Sequence, residues 1–480
     1  MIFAVDVGTT VLKAALFDED GKALVQKERP IGSIPHADPL RHEVDAREWV
    51  DALMQVSREC GVEGNRGLRA VAVSGNGPTL LPVGEDDEPA DNAMTWMDRR
   101  AIEESKTVSE LAGITIDPAF YLPKVYWIYK NRPELYRRTK LFFSCSEYIN
   151  YLLSGFPHTV LPAPEYRPYI WTEELVTELG MDWKKFPNFI RPGEPVGKVS
   201  EKAEARFGIP AGTPVFAGGP DFVVSLLGTA TVSPGRVCDR SGTSEGINLC
   251  TDALVKDPRL LCMSHVIRDL YNISGVISTS GKAFDWFRKI VGKSEASYEE
   301  IFTEIGAAEP GAGGLLFLPY LTGERSPIWD PQARGMFIGL TLKHDRRDML
   351  RAVAESVGFA VRDIITVMEE LGLPVEDLRI TGSQAKSPLW TQIKADITGK
   401  TIHVPVIKDA ELMGNLIVGI TGIGGYKNLA EASEALVKVE EIYYPHEQNR
   451  KMYDRLFDLY RKSYTSTKDI CKELSYGSGR

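Results

Sequence analysis

Residues 2–25 read IFAVDVGTTVLKAALFDEDGKALV, and this stretch decides the expected fold. It contains three apolar runs separated by turn residues: Ile2–Val5, Lys13–Phe17 and Ala23–Val25. Short apolar runs between glycine-containing turns predict strands that pair with their neighbours. A helix, a buried strand and a second helix are predicted downstream from the periodicity of the apolar residues. This alternation predicts an α/β domain.

The same pattern returns after Pro214. An apolar run is followed by Gly218-Gly219-Pro220-Asp221, a helix, another strand and the turn Gly242-Thr243-Ser244. Two such turns between short strands indicate a duplicated architecture. Because 480 residues exceed what one hydrophobic core supports, we predict two domains, 1–240 and 241–480, with a cleft between them. An apolar helix at about 410–419 is assigned to the second domain by its place in the order.

The composition excludes several classes of protein. Lys and Arg total 56 against 66 Asp and Glu, giving a net charge of −10, which argues against a nucleic-acid or anionic-membrane partner. No segment approaches the ~18 apolar residues of a membrane span. The six scattered cysteines form no Cys-x-x-Cys pair, and the N-terminus lacks the basic start of a signal peptide. We therefore expect reduced thiols and a cytoplasmic location.

The first chemical motif is Asp6-Val7-Gly8-Thr9-Thr10, followed by Lys13. A glycine lets backbone N–H groups approach an anion, and Thr9, Thr10 and Lys13 add donors and charge, so the turn is suited to phosphate. A carboxylate beside a phosphate is favourable if Mg²⁺ bridges the two, which makes Asp6 a metal candidate. The alternative is a plain hairpin with a surface aspartate.

The second motif is Ser241-Gly242-Thr243-Ser244-Glu245-Gly246. Gly242 and Thr243 could hold another part of a triphosphate. The motif also matches Gly-x-Ser-x-Gly, the nucleophile elbow of serine hydrolases, with Ser244 as the nucleophile. That elbow requires a helix after the serine, whereas residues 247–250 predict a strand. A simple tight turn is the third interpretation.

Two further turns have candidate roles. Asp221, ahead of an apolar helix, could cap that helix or act as a general base on a substrate hydroxyl. The small-residue turn that contains Gly382, Ser383 and Lys386 could border an adenosine. No Gly-x-x-x-x-Gly-Lys-Ser/Thr motif is present, so a P-loop site is excluded.

In this order the motifs resemble the FGGY carbohydrate kinases of the actin-like ATPase superfamily, and the branch that contains xylulokinases and gluconokinases in particular. The resemblance also rests on Tyr320-Leu321-x-Gly323-Glu324-Arg325 and on the run from Gly335 to Leu340. It implies an α/β fold of two actin-like (ribonuclease H-like) domains, with sugar held by the first and ATP by the second. Domain closure would then exclude water from the reaction.

The resemblance also implies a role for each matching residue. Asp6 would hold Mg²⁺, and Asp221 would contact the sugar and take the proton from its attacking hydroxyl. The remaining candidates would contact ATP or its phosphates: Thr9, Thr10, Lys13, Gly242, Thr243, Gly382, Ser383 and Lys386. Phosphoryl transfer requires mainly positioning, charge stabilisation and an oriented nucleophile, which agrees with this set.

The sequence departs from the family pattern on the sugar side. Xylulokinases usually carry Gln-Met-His-Gly where this chain has Gly75-Asn76-Gly77-Pro78, which puts D-xylulose in doubt. Asn76 is carried over as a sugar contact. Asp98 is also carried over, in a segment similar to Trp-x-Asp-x-Arg but with its arginine, Arg99, one place early. Ser383 and Gln384 replace glycines that are common in the family.

The expected function is transfer of the γ-phosphate of ATP to a hydroxyl of a ketose, sugar acid or polyol, with ATP and Mg²⁺ required. A homodimer is possible on this interpretation. The alternative is a catalytically silent sugar- or nucleotide-binding regulatory protein of the same fold, and retention of Asp6 and Asp221 argues against it.

Overall fold

A computed structural model describes residues 1–476 of the protein. The strands, in chain order, are β1 (Ile2–Val7), β2 (Val11–Phe17), β3 (Ala23–Pro30), β4 (Glu43–Val44), β5 (Ala70–Gly75), β6 (Leu81–Gly84), β7 (Ala93–Met94), β8 (Thr139–Phe143), β9 (Thr159–Val160), β10 (Phe189–Ile190), β11 (Pro195–Lys198), β12 (Pro214–Pro220), β13 (Arg236–Ser241), β14 (Glu245–Thr251), β15 (Leu261–Ser264), β16 (Tyr271–Ile277), β17 (Leu316–Leu318), β18 (Met336–Ile338), β19 (Asp377–Gly382), β20 (Thr401–Pro405) and β21 (Val439–Tyr443). The α-helices are α1 (Arg47–Glu59), α2 (Ile102–Ala112), α3 (Tyr121–Asn131), α4 (Pro133–Arg138), α5 (Cys145–Ser154), α6 (Arg167–Ile170), α7 (Glu173–Glu178), α8 (Glu201–Phe207), α9 (Asp221–Gly228), α10 (Gly281–Ile290), α11 (Tyr298–Gly306), α12 (Arg346–Glu370), α13 (Pro388–Thr398), α14 (Ala410–Gly422), α15 (Leu429–Leu436) and α16 (Glu447–Tyr476).

The chain divides into two compact units. The first comprises Met1–Gly228, His265–Ile267 and Ala410–Leu436, and the second comprises Thr229–Ser264, Arg268–Asp409 and Val437–Arg480. Each unit has its own buried apolar residues, so each has the core that an independent domain requires.

The first unit contains a six-stranded sheet in the order β11-β12-β5-β1-β2-β3. Strands β12, β5 and β1 are parallel, whereas β2 and β3 pair antiparallel. Strand β1 is buried along its whole length, as expected for a central strand with both faces covered. The carboxyl ends of β1, β5 and β12 therefore lie at one edge of the sheet, where ligands bind in open α/β folds.

The second unit repeats this arrangement. Its sheet has the order β15-β16-β14-β13-β19-β20-β21, with β13, β19 and β20 parallel and β14 antiparallel to β13. The order β16-β14-β13-β19-β20 matches β3-β2-β1-β5-β12 of the first unit strand by strand. The duplicated α/β architecture predicted from the two turns is confirmed, and it is that of the actin-like fold.

Helix α14 belongs to the first unit and not to the second, which differs from the sequence-based assignment. It packs on α9 and β1, and its glycines allow close approach, since a Cβ on Gly414 would lie 2.0 Å from the carbonyl oxygen of Val224. The chain thus leaves the second unit after Asp409 and re-enters it at Val437. Contiguous ranges such as 241–480 do not describe this path.

Two further findings concern the whole described chain. Within residues 1–476, no helix has both the length and the apolar character that a bilayer crossing requires. Five of the six cysteines are buried.

Candidate functional site

Asp6 lies at the carboxyl end of β1, beside Ser74 of β5 and Lys13 of β2 in the strand register. The Ser74 hydroxyl donates to Asp6 Oδ1 at 2.6 Å. Burial, helped by the charges of Glu411 and Asp221, raises the pKa of Asp6 from 3.8 to about 7, against the opposing effects of Ser74 and Lys13. A buried carboxyl with like charges nearby favours a proton or a cation.

Glu411 is a site residue that sequence reasoning missed. It lies in the first turn of α14, and its Oε1 accepts a hydrogen bond of 3.0 Å from Ser225 Oγ. The same hydroxyl donates to the backbone oxygen of Asp221 at 2.8 Å. We call Asp6, Asp221 and Glu411 the acidic cluster. In the sequence, an acid at the start of an apolar helix indicates only a favourable interaction with the helix dipole.

The acidic cluster fits a divalent cation, because a cation would offset the burial and the neighbouring negative charges that raise the pKa of Asp6. Among the described residues, no three potential ligand side chains surround one point. Mg²⁺ characteristically takes one or two carboxylates and completes its shell with phosphate oxygens and water. The residues present therefore suit a magnesium ion that arrives with a phosphate ligand.

Asp221 is the first residue of α9, directly after β12. Its Oδ1 accepts a 2.7 Å hydrogen bond from the backbone N–H of the next residue, Phe222. An N-cap side chain engages the N–H two or three residues on, so the capping role considered from the sequence stays a prediction. The glycines before it have a packing role: a Cβ on Gly218 would lie 2.2 Å from Asn415 Oδ1 and 2.7 Å from the Val73 oxygen. The role of Asp221 as a general base stays a prediction.

The turn between β1 and β2 presents Thr9 and Thr10. The Thr9 hydroxyl accepts a 2.9 Å hydrogen bond from Trp96 Nε1, which fixes the side chain while leaving its own proton to donate. Thr10 is exposed, and its backbone oxygen accepts from Ile31 N. With Lys13 on the adjoining strand, the turn retains the hydroxyl donors and the charge predicted for a phosphate site.

The two residues carried over as sugar contacts are engaged within the fold. Asn76 donates to the oxygen of Val7 at 2.9 Å and accepts from the Thr79 hydroxyl. Asp98 is fully buried; its Oδ2 accepts from His42 N at 2.9 Å and from Arg100 Nη2 at 2.5 Å. Both side chains therefore support the sugar-side segments, and a sugar contact by either stays a prediction.

Arg100 corrects the reading of the Trp-x-Asp-x-Arg segment. The sequence has arginine at both 99 and 100, so the pattern is intact with Arg100 in the arginine position. Arg100 pairs with Asp98 and with Glu43, whereas Arg99 pairs with Asp117 at the surface.

In the second unit, the first turn (Gly242–Ser244) joins β13 to β14. The Gly242 oxygen accepts from Gly281 N at 3.0 Å, and the Thr243 oxygen accepts from the N–H groups of Ser280 and Lys282. Because both carbonyls are engaged at the start of α10, the N–H and hydroxyl groups are what the turn can offer to an anion. Ser244 is followed by strand β14 and not by a helix, so the hydrolase interpretation is wrong.

The second turn (Gly382–Lys386) follows β19, which pairs in parallel with β13 so that Ser241 lies opposite Gly382. Both turns consequently lie at the carboxyl edge of the same sheet. Ser383 and Lys386 are exposed and Gly382 is half-buried, whereas Gln384 is fully buried. Gly382, Ser383 and Lys386 can therefore face a ligand, whereas the side chain of Gln384 cannot.

Comparison with known proteins identifies the family. The N-terminal domain model of the FGGY family of carbohydrate kinases matches residues 1–228, and its C-terminal domain model matches residues 240–423. A xylulose kinase of Staphylococcus epidermidis is 27% identical over 99% of this chain and 98% of its own. A gluconokinase of Bacillus licheniformis is 26% identical over 96% of this chain and 94% of its own.

The fold agrees with a solved structure of this kind. The crystal structure of ligand-bound xylulose kinase from Lactobacillus acidophilus superposes with a TM-score of 0.85 at 23% identity, covering 99% of this chain and 100% of the other. Two matched domain models, relatives aligned end to end and a shared two-domain fold agree with the motifs described above. The chain belongs to the FGGY family of carbohydrate kinases.

Proposed function

We propose that the protein transfers the γ-phosphate of ATP to a hydroxyl of a ketose, sugar acid or polyol, with Asp221 as the general base. The observation that carries the proposal is the acidic cluster at the carboxyl edge of the first sheet. It combines a metal candidate, Asp6, with a second carboxylate at the start of a helix. A kinase requires both a charge-neutralising metal and a group that orients the attacking hydroxyl.

Each group has a distinct task in this mechanism. Magnesium, when bound, would spread the negative charge of the phosphates. Asp221 accepts the proton of the sugar hydroxyl as the bond to phosphorus forms. Thr9, Thr10 and Lys13 donate to the γ-phosphate oxygens, and Glu411 holds the segment around Asp221 through Ser225. In the second unit, the first turn contacts ATP phosphates and the second turn borders the adenosine.

The acceptor sugar remains within three classes. The relatives named above include xylulose kinases and gluconokinases, and Gly75-Asn76-Gly77-Pro78 stands where xylulokinases usually carry Gln-Met-His-Gly. Pocket donors and acceptors discriminate sugars strongly, since an unmatched buried polar group costs about 10⁴-fold or more. A sugar acid is thus as good a candidate as D-xylulose. The cytoplasmic location and the homodimer expected from the sequence remain predictions.

The test is an ADP-release screen with Mg·ATP against ketoses, sugar acids and polyols. Asp221→Asn keeps the shape of the side chain and removes the base, so we expect turnover to fall by about 10²–10⁴-fold. Asp51→Asn, on the exposed side of α1, is the matched control and should turn over normally. Unchanged turnover in Asp221→Asn would remove the general base from the proposal. Absence of turnover with every sugar, with ATP still bound, would favour the regulatory alternative.

A further inference from the structure

The inference concerns five buried polar residues beneath the two turns of the second unit. We call Asp239, Glu245, Ser280, Gln384 and Lys394 the Glu245 network. Glu245 is 1% exposed and the other four are fully buried. Burying ionisable and amide side chains is costly unless their partners are in place, so an arrangement of this kind needs an explanation.

Glu245 is the hub of the network. Its Oε1 pairs with Lys394 Nζ at 2.7 Å, and its Oε2 accepts from Gln384 Nε2 at 2.6 Å and from the Ser280 hydroxyl. Gln384 Nε2 also donates to Ser280 Oγ at 2.8 Å. Glu245 directly follows the first turn, Gln384 lies in the second turn, and Ser280 precedes α10. One carboxylate thus joins three segments.

A second link between the two turns joins the Ser241 hydroxyl to backbone groups. Ser241, which directly precedes the first turn, donates its hydroxyl to the Thr381 oxygen and accepts from Gln384 N at 3.1 Å. The first turn is therefore connected to the second on both of its flanks, by Ser241 on one side and by Glu245 on the other. Two connections fix a separation and an orientation, whereas one would leave a hinge.

One buried cation, Lys394, lies against both carboxyl groups of the network. Burial would raise the pKa of Glu245, but Lys394 outweighs it and holds the pKa below its usual range. Burial and the neighbouring Glu245 raise the pKa of Asp239, and Lys394 Nζ lies 2.6 Å from Asp239 Oδ2. Asp239 Oδ1 is a buried atom without a hydrogen-bond partner among the described residues. Lys394 is thus the buried cation that stabilises the carboxylate of Glu245 within the network.

We propose that Glu245 and Gln384 are positioning residues that hold the first and second turns at a fixed separation, and with them the phosphates and adenosine of the nucleotide. This rests on the proposed function for the assignment of ATP to these turns. The contacts of Gln384 also explain how the chain tolerates glutamine where glycine is common in the family. The Gln384 side chain points into the network and leaves the ligand side of the turn unobstructed.

The first experiment compares Gln384→Met with Gln392→Met. Both remove a glutamine amide in the second unit without leaving an unpaired buried charge, but Gln392 bonds to Asp396 and Tyr444 on the far side of α13. Isothermal titration with Mg·ADP reads nucleotide affinity without turnover, and kinetics with the accepted sugar read the two KM values. We expect Gln384→Met to raise the Kd for Mg·ADP and the KM for ATP about tenfold, with the KM for sugar unchanged. Gln392→Met should change none of them.

A second pair of variants tests the role of Glu245 as the hub of the network. Lys394→Met and Arg351→Met each break a fully or largely buried ion pair of the same unit, since Arg351 pairs with Glu355 at 2.8 Å without touching either turn. Both variants lose stability. Only Lys394→Met should speed amide hydrogen exchange in residues 241–244 and 382–386, because only that pair anchors the turns.

The outcomes separate this proposal from the proposed function. If wild-type protein binds no Mg·ADP, and Gln384→Met still speeds exchange at both turns, the nucleotide assignment fails and the positioning role stands. If nucleotide binds and neither affinity nor turn exchange differs between Gln384→Met and Gln392→Met, the positioning role is overturned. A KM increase shared equally by ATP and sugar would also overturn it, since that is the signature of a general structural defect.

Discussion

Gly382 is the position where a single methyl group tests the geometry of the second unit most severely. Its φ is +84°, and a Cβ placed on it would lie 1.9 Å from the backbone oxygen of Ser241. Gly372 has nearly the same backbone conformation, with φ at +75°, but nothing lies within 4 Å of its Cβ position. Alanine at the two positions therefore carries the same conformational strain and differs in the steric clash.

The magnitudes follow from these two terms. The left-handed conformation costs an L-residue about 1–2 kcal/mol, so Gly372→Ala should lose about that much free energy of unfolding. At Gly382, β13 and β19 must also separate to admit the methyl group, and overpacking of this kind adds about 1–3 kcal/mol. We expect Gly382→Ala to lose about 2–5 kcal/mol in total. The separation also moves the second turn away from the first, so Mg·ADP affinity should fall.

Urea denaturation followed by fluorescence or circular dichroism measures both variants. The two glycines lie in the same compact unit, so one transition reports on both substitutions. Comparison of midpoints is valid where the slope with urea is unchanged. Equal midpoint shifts for the two variants, or a Gly382→Ala protein that binds Mg·ADP as wild type does, would refute the reasoning.

Three other predictions concern two ionisable side chains and the requirement for a divalent cation. Burial raises the pKa of Glu324 from 4.5 to about 7, so the folded chain keeps a proton that the unfolded chain loses. The free energy of unfolding should therefore fall by about 3 kcal/mol as pH rises from 4.5 to 7. Glu324→Gln should flatten this pH dependence in urea titrations, and a variant with the same pH dependence as wild type would contradict the prediction. Arg100→Met leaves the buried Asp98 carboxylate without its ion-pair partner and should lower the free energy of unfolding by about 3–5 kcal/mol. Arg99→Met, at the surface, should lower it by about 1 kcal/mol or less in the same thermal or urea assay. Equal losses for the two variants would contradict a stabilising role for the buried pair. Chelation of divalent cations with EDTA should abolish turnover and excess Mg²⁺ should restore it, while turnover that survives chelation would exclude a metal at Asp6.

Local patterns in the sequence were sufficient to predict the repeated architecture. The turn after Asp6 and the turn after Ser241 both follow a strand that becomes a central member of its sheet. Apolar runs, glycine turns and acids at strand ends are local properties of the sequence, so they predict strands and edges well. They also placed Asp6 and Asp221 at strand ends, where the structure has them.

The remaining features depend on contacts between segments far apart in the chain. Glu411 approaches Asp6 because α14 returns to the first unit, and nothing in the residues around Glu411 indicates that return. Gln384 was interpreted as part of a ligand-facing turn, but its partner Glu245 lies 139 residues earlier. Arg100 was overlooked in favour of Arg99, although the Trp-x-Asp-x-Arg spacing already selects Arg100; its contacts with Asp98 and Glu43 became visible only in the structure. Such pairs become visible when the tertiary packing is known.

The measurement that tests the account most directly follows the γ-phosphate itself. Wild-type protein is incubated with γ-³²P-labelled Mg·ATP and the sugar that gives most ADP in the screen, and the label is traced by chromatography. The account predicts that label appears on the sugar in a one-to-one ratio with ADP, and that Asp221→Asn loses this transfer while still binding Mg·ADP. Label recovered only as inorganic phosphate, or equal transfer by the variant, would contradict it.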